Sequence, residues 1–350
     1  MSTDLTTTDT RPGPAATPAG PSRAGHAPGW RLVAAMIVGI PTLVVAIAAM
    51  FVSLAVDPEP HQAPLGLVAP PPAATAIESA LAERAGADAF VVERFTDADD
   101  ARAAIERRDL VGAIAAGPDG VTVLTAEAGS PVLAQVVAGV GNGIATAQGL
   151  PVTVDSVVPT PETDDRGTGF AAGLLPLLIA GMALGGAAAV GLRGRVAMQV
   201  TLAVLGPLVA GLGFAATWSW LGVIDGGIGT VGLAAALMIG AITWFTVGAG
   251  SLLGTAGVGV SALVMVLISN PLSGLASSPY LLPAPWGTIG QWLPPGAGGT
   301  LLRSVAYFPA AGIAGTVAVL AGWVAVGAGL LALGTVRARR ADAPGAAVAA

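Results

Sequence analysis

Few side chains on this chain could carry chemistry. Between Gly167 and Val336 the charged residues are Arg193, Arg195, Asp225 and Arg303 alone. A carboxylate inside a membrane would serve as a proton- or ion-coupling group. Asp225, however, stands beside Gly226-Gly227 and reads as a solvated turn. Gln199 and Asn270 are polar but lie near the ends of apolar runs, so no string of ionisable groups crosses the region. Lysine is absent, which excludes a Walker A loop, and any ATP-driven role needs a separate ATPase subunit. Cysteine is absent too, which excludes disulfides, thiolate metal sites and Cys nucleophiles. His26 and His61 sit in Pro-rich flanks that suit no metal centre. Gly139-Val-Gly141-Asn-Gly143 has nucleotide-loop spacing, but it falls inside a predicted helix with no strand before it. The acids Asp97, Asp99, Asp100, Glu106 and Asp109 lack the Gly-centred order of a calcium loop. Interleaved with Arg102, Arg107 and Arg108, they read as a solvated helix face. No catalytic residue, cofactor, metal site or enzymatic role is expected.

The elements that would position these residues are mostly apolar. Hydrophobic residues make up 54% and charged residues 10% of 350, against about 25% charged in a typical soluble domain. Arginine without lysine, among abundant Ala, Gly and Pro, suggests a GC-rich bacterial coding sequence. A helix needs about 20 apolar residues to cross a bilayer core of about 30 Å. The chain offers Leu32 to Val56, Phe170 to Leu192, Val196 to Ile224 and Ala310 to Gly334, plus a charge-free stretch from Ile228 to Ile268 long enough for two crossings. The break in that stretch is expected at Gly248-Ala-Gly250-Ser251, where glycine permits a tight turn. Splitting it keeps Arg337-Ala-Arg339-Arg340 on the same side as Arg193 and Arg195, as the positive-inside rule asks. The first run is too long for a cleaved leader and reads as a retained anchor. Pro207 is an expected kink site, and Trp218 and Trp220 are expected at the membrane interface. Gly181-x-x-x-Gly185, Gly222-x-x-x-Gly226 and Gly250-x-x-x-Gly254 have the small-residue spacing of closely packed membrane helices.

The expectation is a polytopic α-helical protein of six spans, with an extracytoplasmic α/β domain between the first and second. The domains are a disordered cytoplasmic tail (1–31), span 1 (32–56), the α/β domain (57–166), a membrane domain with spans 2–6 (167–336) and a cytoplasmic tail (337–350). A Pro- and Gly-punctuated outer segment (269–309) is read as short broken helices dipping into the outer leaflet. In the α/β domain, Leu65–Ala69, Ala89–Glu93, Val111–Ala115, Val121–Thr125 and Val152–Val158 have strand composition. Ala73–Arg84, Ala98–Arg107 and Pro131–Ala147 have helical spacing, the second capped by Asp97.

The outer segment carries the strongest pattern. Asn270-Pro271 with Gly274, then Leu282-Pro283 and Trp286, then Leu293-Pro294, then Arg303 and Tyr307-Phe308, resemble the C-terminal signature of bacterial type-2 ABC exporter permeases. The likeness is strongest to their YhgE/Pip-like relatives and is most specific from Gly250 to Gly334. The resemblance implies a permease-like export component in the bacterial plasma membrane, both termini cytoplasmic, acting on a hydrophobic or envelope-directed substrate. Its implied partners are the lipid bilayer, a separate ATPase contacting Arg193 and Arg195, and a second copy of the chain in a dimer; nucleic acid is not among them. The chain departs from the pattern in three places. Its leader is Pro-rich where type-2 permeases usually have an amphipathic helix before the first span. The loop between the second and third spans is little more than Arg193-Gly-Arg195, and Val68-Ala-Pro-Pro-Pro72 stands where the YhgE/Pip-like group often has Asn-x-Asp-x-Gly. The short loop supports the alternative of a non-transporting envelope scaffold or secretion accessory.

Overall fold

The computed structural model describes residues 29–56, 59–275, 277–309 and 311–342. The expected disordered tails fall largely outside these residues, before Gly29 and after Asp342. Helix α1 (Trp30–Val56) is 27 residues long and runs through Pro41.

A five-stranded sheet follows, built from β1 (Ala63–Val68), α2 (Pro71–Ala85), β2 (Phe90–Phe95), α3 (Ala98–Glu106), β3 (Gly112–Gly117), β4 (Gly120–Thr125), α4 (Pro131–Gln148) and β5 (Val152–Ser156). The strand order is β2-β1-β3-β4-β5, parallel except for the β3–β4 hairpin. Period-two alternation sorts the side chains. Leu65, Leu67, Ile114 and Val123 pack with α2 and α4 on one face. Their neighbours Ala113 and Leu124 pack with Ala101, Ala104 and Ile105 of α3 on the other. Local chemistry sets the helix starts: the Asp97 side chain accepts from Asp99 N at 2.8 Å, and Ser130 Oγ accepts from Leu133 N at 3.2 Å ahead of Pro131. α3 alone does not cover its face of the sheet. Phe308, from far along the chain, completes that cluster.

The rest is helical. α5 (Thr168–Gly186) continues through a π-helical stretch, Ala187–Gly191; α6 spans Val196–Trp220 and α7 spans Ile228–Leu253. α8 (Thr255–Ala262) passes through π-helical Leu263–Ile268 into α9 (Ser269–Leu272). A 3₁₀ turn (Pro279–Leu281), α10 (Trp286–Gln291) and α11 (Pro294–Tyr307) lead to α12 (Ile313–Asp342). Among the described residues, five helices are long and apolar enough to cross a membrane: Thr168–Gly191, Val196–Trp220, Ile228–Leu253, Thr255–Leu272 and Ile313–Arg340. The protein is thus mostly helical, with five candidate membrane-spanning helices and a separate α/β sheet domain.

α7 is the most buried of the five and packs against α5, α6, α11 and α12. Bare glycine surfaces allow these approaches. A Cβ on Gly181 would lie 3.0 Å from Ile239 O, and one on Gly248 would lie 2.2 Å from Gly327 O. α5 begins under a buried carboxylate: Asp164 accepts from Gly169 N and Phe170 N, both at 2.9 Å, where the helix end concentrates unpaired N–H groups.

Three sequence expectations need correction. The charge-free stretch breaks at Gly254, whose φ of +68° suits glycine, and not at Gly248–Ser251. Gly248 and Gly250 remain helical because they serve close packing, against Gly327 and Ala189. Trp218 is 4% exposed and stacks on Phe170 at 5.0 Å, whereas Trp220 is 83% exposed; only the second is free to meet an interface. Gly222 and Gly226 lie in a turn with positive φ and form no helix-packing pair. Gln199 lies in the first turn of α6, near a span end as expected, where it is 2% exposed and its Nε2 donates to Ala188 O at 3.1 Å in the π-helical stretch. Asp225 lies in an exposed turn, and α6 runs unbroken through Pro207.

Candidate functional site

The site is assembled from α11 and the end of α3. α11 starts at Pro294-Pro295, where missing N–H groups cost nothing, and continues with small residues. A Cβ on Gly298 would lie 2.4 Å from Met238 Cγ, so the bare backbone lets α11 press against α7. That depth carries Arg303 inward until it is 6% exposed. Its guanidinium donates to Leu275 O at 3.0 Å and lies 5.2 Å from the centre of the Phe170 ring.

Arg108 reaches the same place from the α/β domain. It follows the last turn of α3 with φ +63°, a left-handed conformation that costs a non-glycine residue on the order of 1 kcal/mol. Glycine is the usual residue there. The conformation turns the guanidinium toward α11, where Nη1 donates to Thr300 O at 2.9 Å and to Ser304 Oγ. The group sits 5.1 Å from the centre of the Phe308 ring. Both arginines therefore rest on aromatic faces, which attract cations.

Around them is a cavity of about 290 Å³ between the sheet domain and the 269–309 segment, with walls that include Arg108, Arg303, Ser130, Ser278, Tyr280 and Gln291. Its charge is unbalanced. The ion pairs among the described residues are Arg94–Glu78, Arg102–Asp155 and Arg107–Asp109, so neither Arg108 nor Arg303 pairs with a carboxylate. Asp109 lines the cavity but is engaged by Arg107 at 2.9 Å. Burial pushes the Arg108 guanidinium below its ordinary value. Burial, followed by repulsion from Arg108, pushes Arg303 down to about 10, which still leaves it charged at neutral pH. Burial likewise raises the Tyr280 phenol, against the pull of Arg108.

Beside this cavity an open, apolar groove of about 890 Å³ runs along α12, bordered by Phe245, Trp292, Val319, Trp323 and Val326. Gln291 and Gly312 line both spaces. Trp323 Nε1 donates to Trp292 O at 2.9 Å, which ties α12 to the turn after α10.

Of the signature residues, Arg303 and Phe308 line the cavity, and Gly274 and Tyr307 stand behind them. Gly274 (φ +63°) turns the chain so that Leu275 O meets Arg303, and a Cβ there would lie 2.6 Å from Pro279 N. Tyr307 packs at a tilt against Phe170, ring centres 5.2 Å apart, its hydroxyl donates to Val223 O at 2.9 Å, and Phe308 lies under Arg108. The others form the frame. Asn270 and Pro271 lie in α9, and Asn270 O accepts from Ser273 N at 3.2 Å. Leu282 is buried, Pro283 O accepts from Trp286 N at 2.8 Å, Trp286 opens α10, and Leu293 with Pro294 opens α11. Arg193 and Arg195 are remote from the cavity. They follow α5 and its π-helical extension, 24 residues or about 36 Å from the end near Phe170. There Arg193 Nη1 comes within 3.4 Å of a Cβ built on Gly254.

Sequence reasoning missed Arg108, which it placed on a solvated face with Arg102 and Arg107. No pattern within α3 distinguishes it, because its partners Thr300 and Ser304 lie 192 and 196 residues away. Comparison of the chain with protein-family models, curated proteins and solved structures finds no match in any of the three.

Proposed function

We propose that the protein is a six-span membrane component of the bacterial plasma membrane, with α1 as the first span and both termini cytoplasmic. In this reading it moves or presents a hydrophobic or envelope-directed substrate, energised by a separate ATPase. The observation that carries it is the cavity that the sheet domain and the 269–309 segment enclose at one end of the helical bundle, with an apolar groove beside it. A substrate drawn from the membrane would meet such a groove first. The short helices α9, α10 and α11 suit a segment entering the outer leaflet, since α11 packs against α7 and α12 and carries α9 and α10 beside it.

The alternative, a non-transporting envelope scaffold or secretion accessory, is favoured by one specific feature. Only Leu192 to Arg195 connects the α5 π-helical extension to α6, too little chain for a coupling helix. Affinity purification in mild detergent separates the two. A permease should bring down a nucleotide-hydrolysing subunit, and Arg193→Ala with Arg195→Ala should reduce its recovery while membrane insertion is unchanged. Recovery of envelope or secretion proteins with no ATPase, in wild type and variant alike, would replace transport by the scaffold reading.

A further inference from the structure

We propose that the Arg108–Arg303 cavity binds the anionic headgroup of a membrane amphiphile, a phosphatidylglycerol-type lipid, whose acyl chain lies in the groove along α12. Two guanidiniums from opposite sides of a domain junction share a cavity that holds no carboxylate free to pair with them. Bringing uncompensated charge out of water is costly, and a bound anion would offset that cost. The donors are present. A guanidinium has five N–H groups; the bonds found engage only Nη1 of Arg108 and Nη2 of Arg303, which leaves donors suited to phosphate oxygens.

Size and continuity point to an amphiphile over a free ion. About 290 Å³ is the volume of roughly ten waters, larger than phosphate needs and suited to phosphate with a small polar alcohol. Gln291 and Gly312 line both the cavity and the groove, so the two spaces adjoin and one molecule passing over these residues could occupy both. The groove offers no charged side chain, and Gly315 and Gly322 leave open space where side chains would project. This inference rests on the membrane-protein reading but not on transport or an ATPase. It would stand for a scaffold, and its failure would leave the export reading to the co-purification test.

The full chain in nanodiscs or detergent provides the test. Dioleoylphosphatidylglycerol should bind more tightly than dioleoylphosphatidylcholine, by native mass spectrometry and by lipid-dependent thermal stabilisation. Arg108→Gln and Arg303→Gln should each weaken phosphatidylglycerol binding about tenfold or more, as expected for a lost charged hydrogen-bonding partner. Arg108 belongs to the domain edge, so its variant keeps the test valid if Arg303→Gln fails to fold. Gly322→Trp, which fills the groove, should weaken the lipid but leave glycerol 1-phosphate and inorganic phosphate unaffected. A photo-crosslinker at Val319 should capture lipid. Equal binding of the two lipids, or insensitivity to both arginine variants, would overturn the proposal. So would phosphate binding as tightly as lipid with no effect of Gly322→Trp, which would mean a soluble-anion site. Capture of α1 at Val319 would show that the chain itself fills the groove and would likewise overturn it.

Discussion

Gly327→Ala should loosen the α7–α12 crossing, and the structure sets how much. A Cβ at Gly327 would lie 2.3 Å from Trp244 C, 2.4 Å from Trp244 O and 2.6 Å from Phe245 N. All three are backbone atoms of α7, so no side chain can rotate away. Carbon atoms in contact sit at about 3.5 Å or more, so α12 must withdraw by about 1.2 Å at this point. Overpacking of that kind costs about 1–3 kcal/mol. Gly329, two residues on and on the exposed side, has nothing within 4 Å of its would-be Cβ. Alanine there should gain up to about 1 kcal/mol from helix propensity. That gain applies to Gly327→Ala as well and cancels, so the two variants should differ by the overpacking cost, about 1–3 kcal/mol. In an intrinsic-fluorescence melt in mild detergent, that corresponds to a difference on the order of 5 °C. Gly248→Ala meets Gly327 O at 2.2 Å and should behave like Gly327→Ala. The double variant should cost less than the sum, because one withdrawal relieves both clashes. A Gly327→Ala protein as stable as Gly329→Ala would refute the close crossing and the reasoning with it.

Two further outcomes are expected. Asp164→Ala removes the acceptor for Gly169 N and Phe170 N from a buried position and should cost about 2–3 kcal/mol in the same melt, with Asp164→Asn intermediate because its amide oxygen can keep one bond. Single cysteines at Asp99 and Asp225 should react with an impermeant maleimide in intact cells while those at Gly194 and Ala338 should not; labelling at Gly194 would reverse the proposed orientation, and the native chain gives no background because it lacks cysteine.

The candidate membrane-spanning helices and the sheet domain were legible because both rest on local signals. Absence of charge over span-length runs requires no tertiary knowledge. Alternation and capping placed β1 to β5 and α2 to α4 within a few residues, with Asp97 capping α3 as expected. Glycine was harder to read, since the same residue serves a turn and a close approach. Gly254 makes the turn with φ +68°, while Gly248 and Gly250 stay helical against Gly327 and Ala189, and only the packing of α7 distinguishes them. Trp218 was misplaced for the same reason: burial depends on Phe170, brought beside it by the α5–α6 crossing. The cavity was the least legible part. Arg303 and Phe308 could be singled out as part of a sequence pattern, but their role as one wall needs a second wall from the sheet domain. Arg108 supplies it through hydrogen bonds to Thr300 and Ser304 across 192 and 196 residues, and no sequence period extends that far. Periodicity reports which face of an element is buried. The tertiary fold alone decides which distant face is buried against it, and so where two like charges meet.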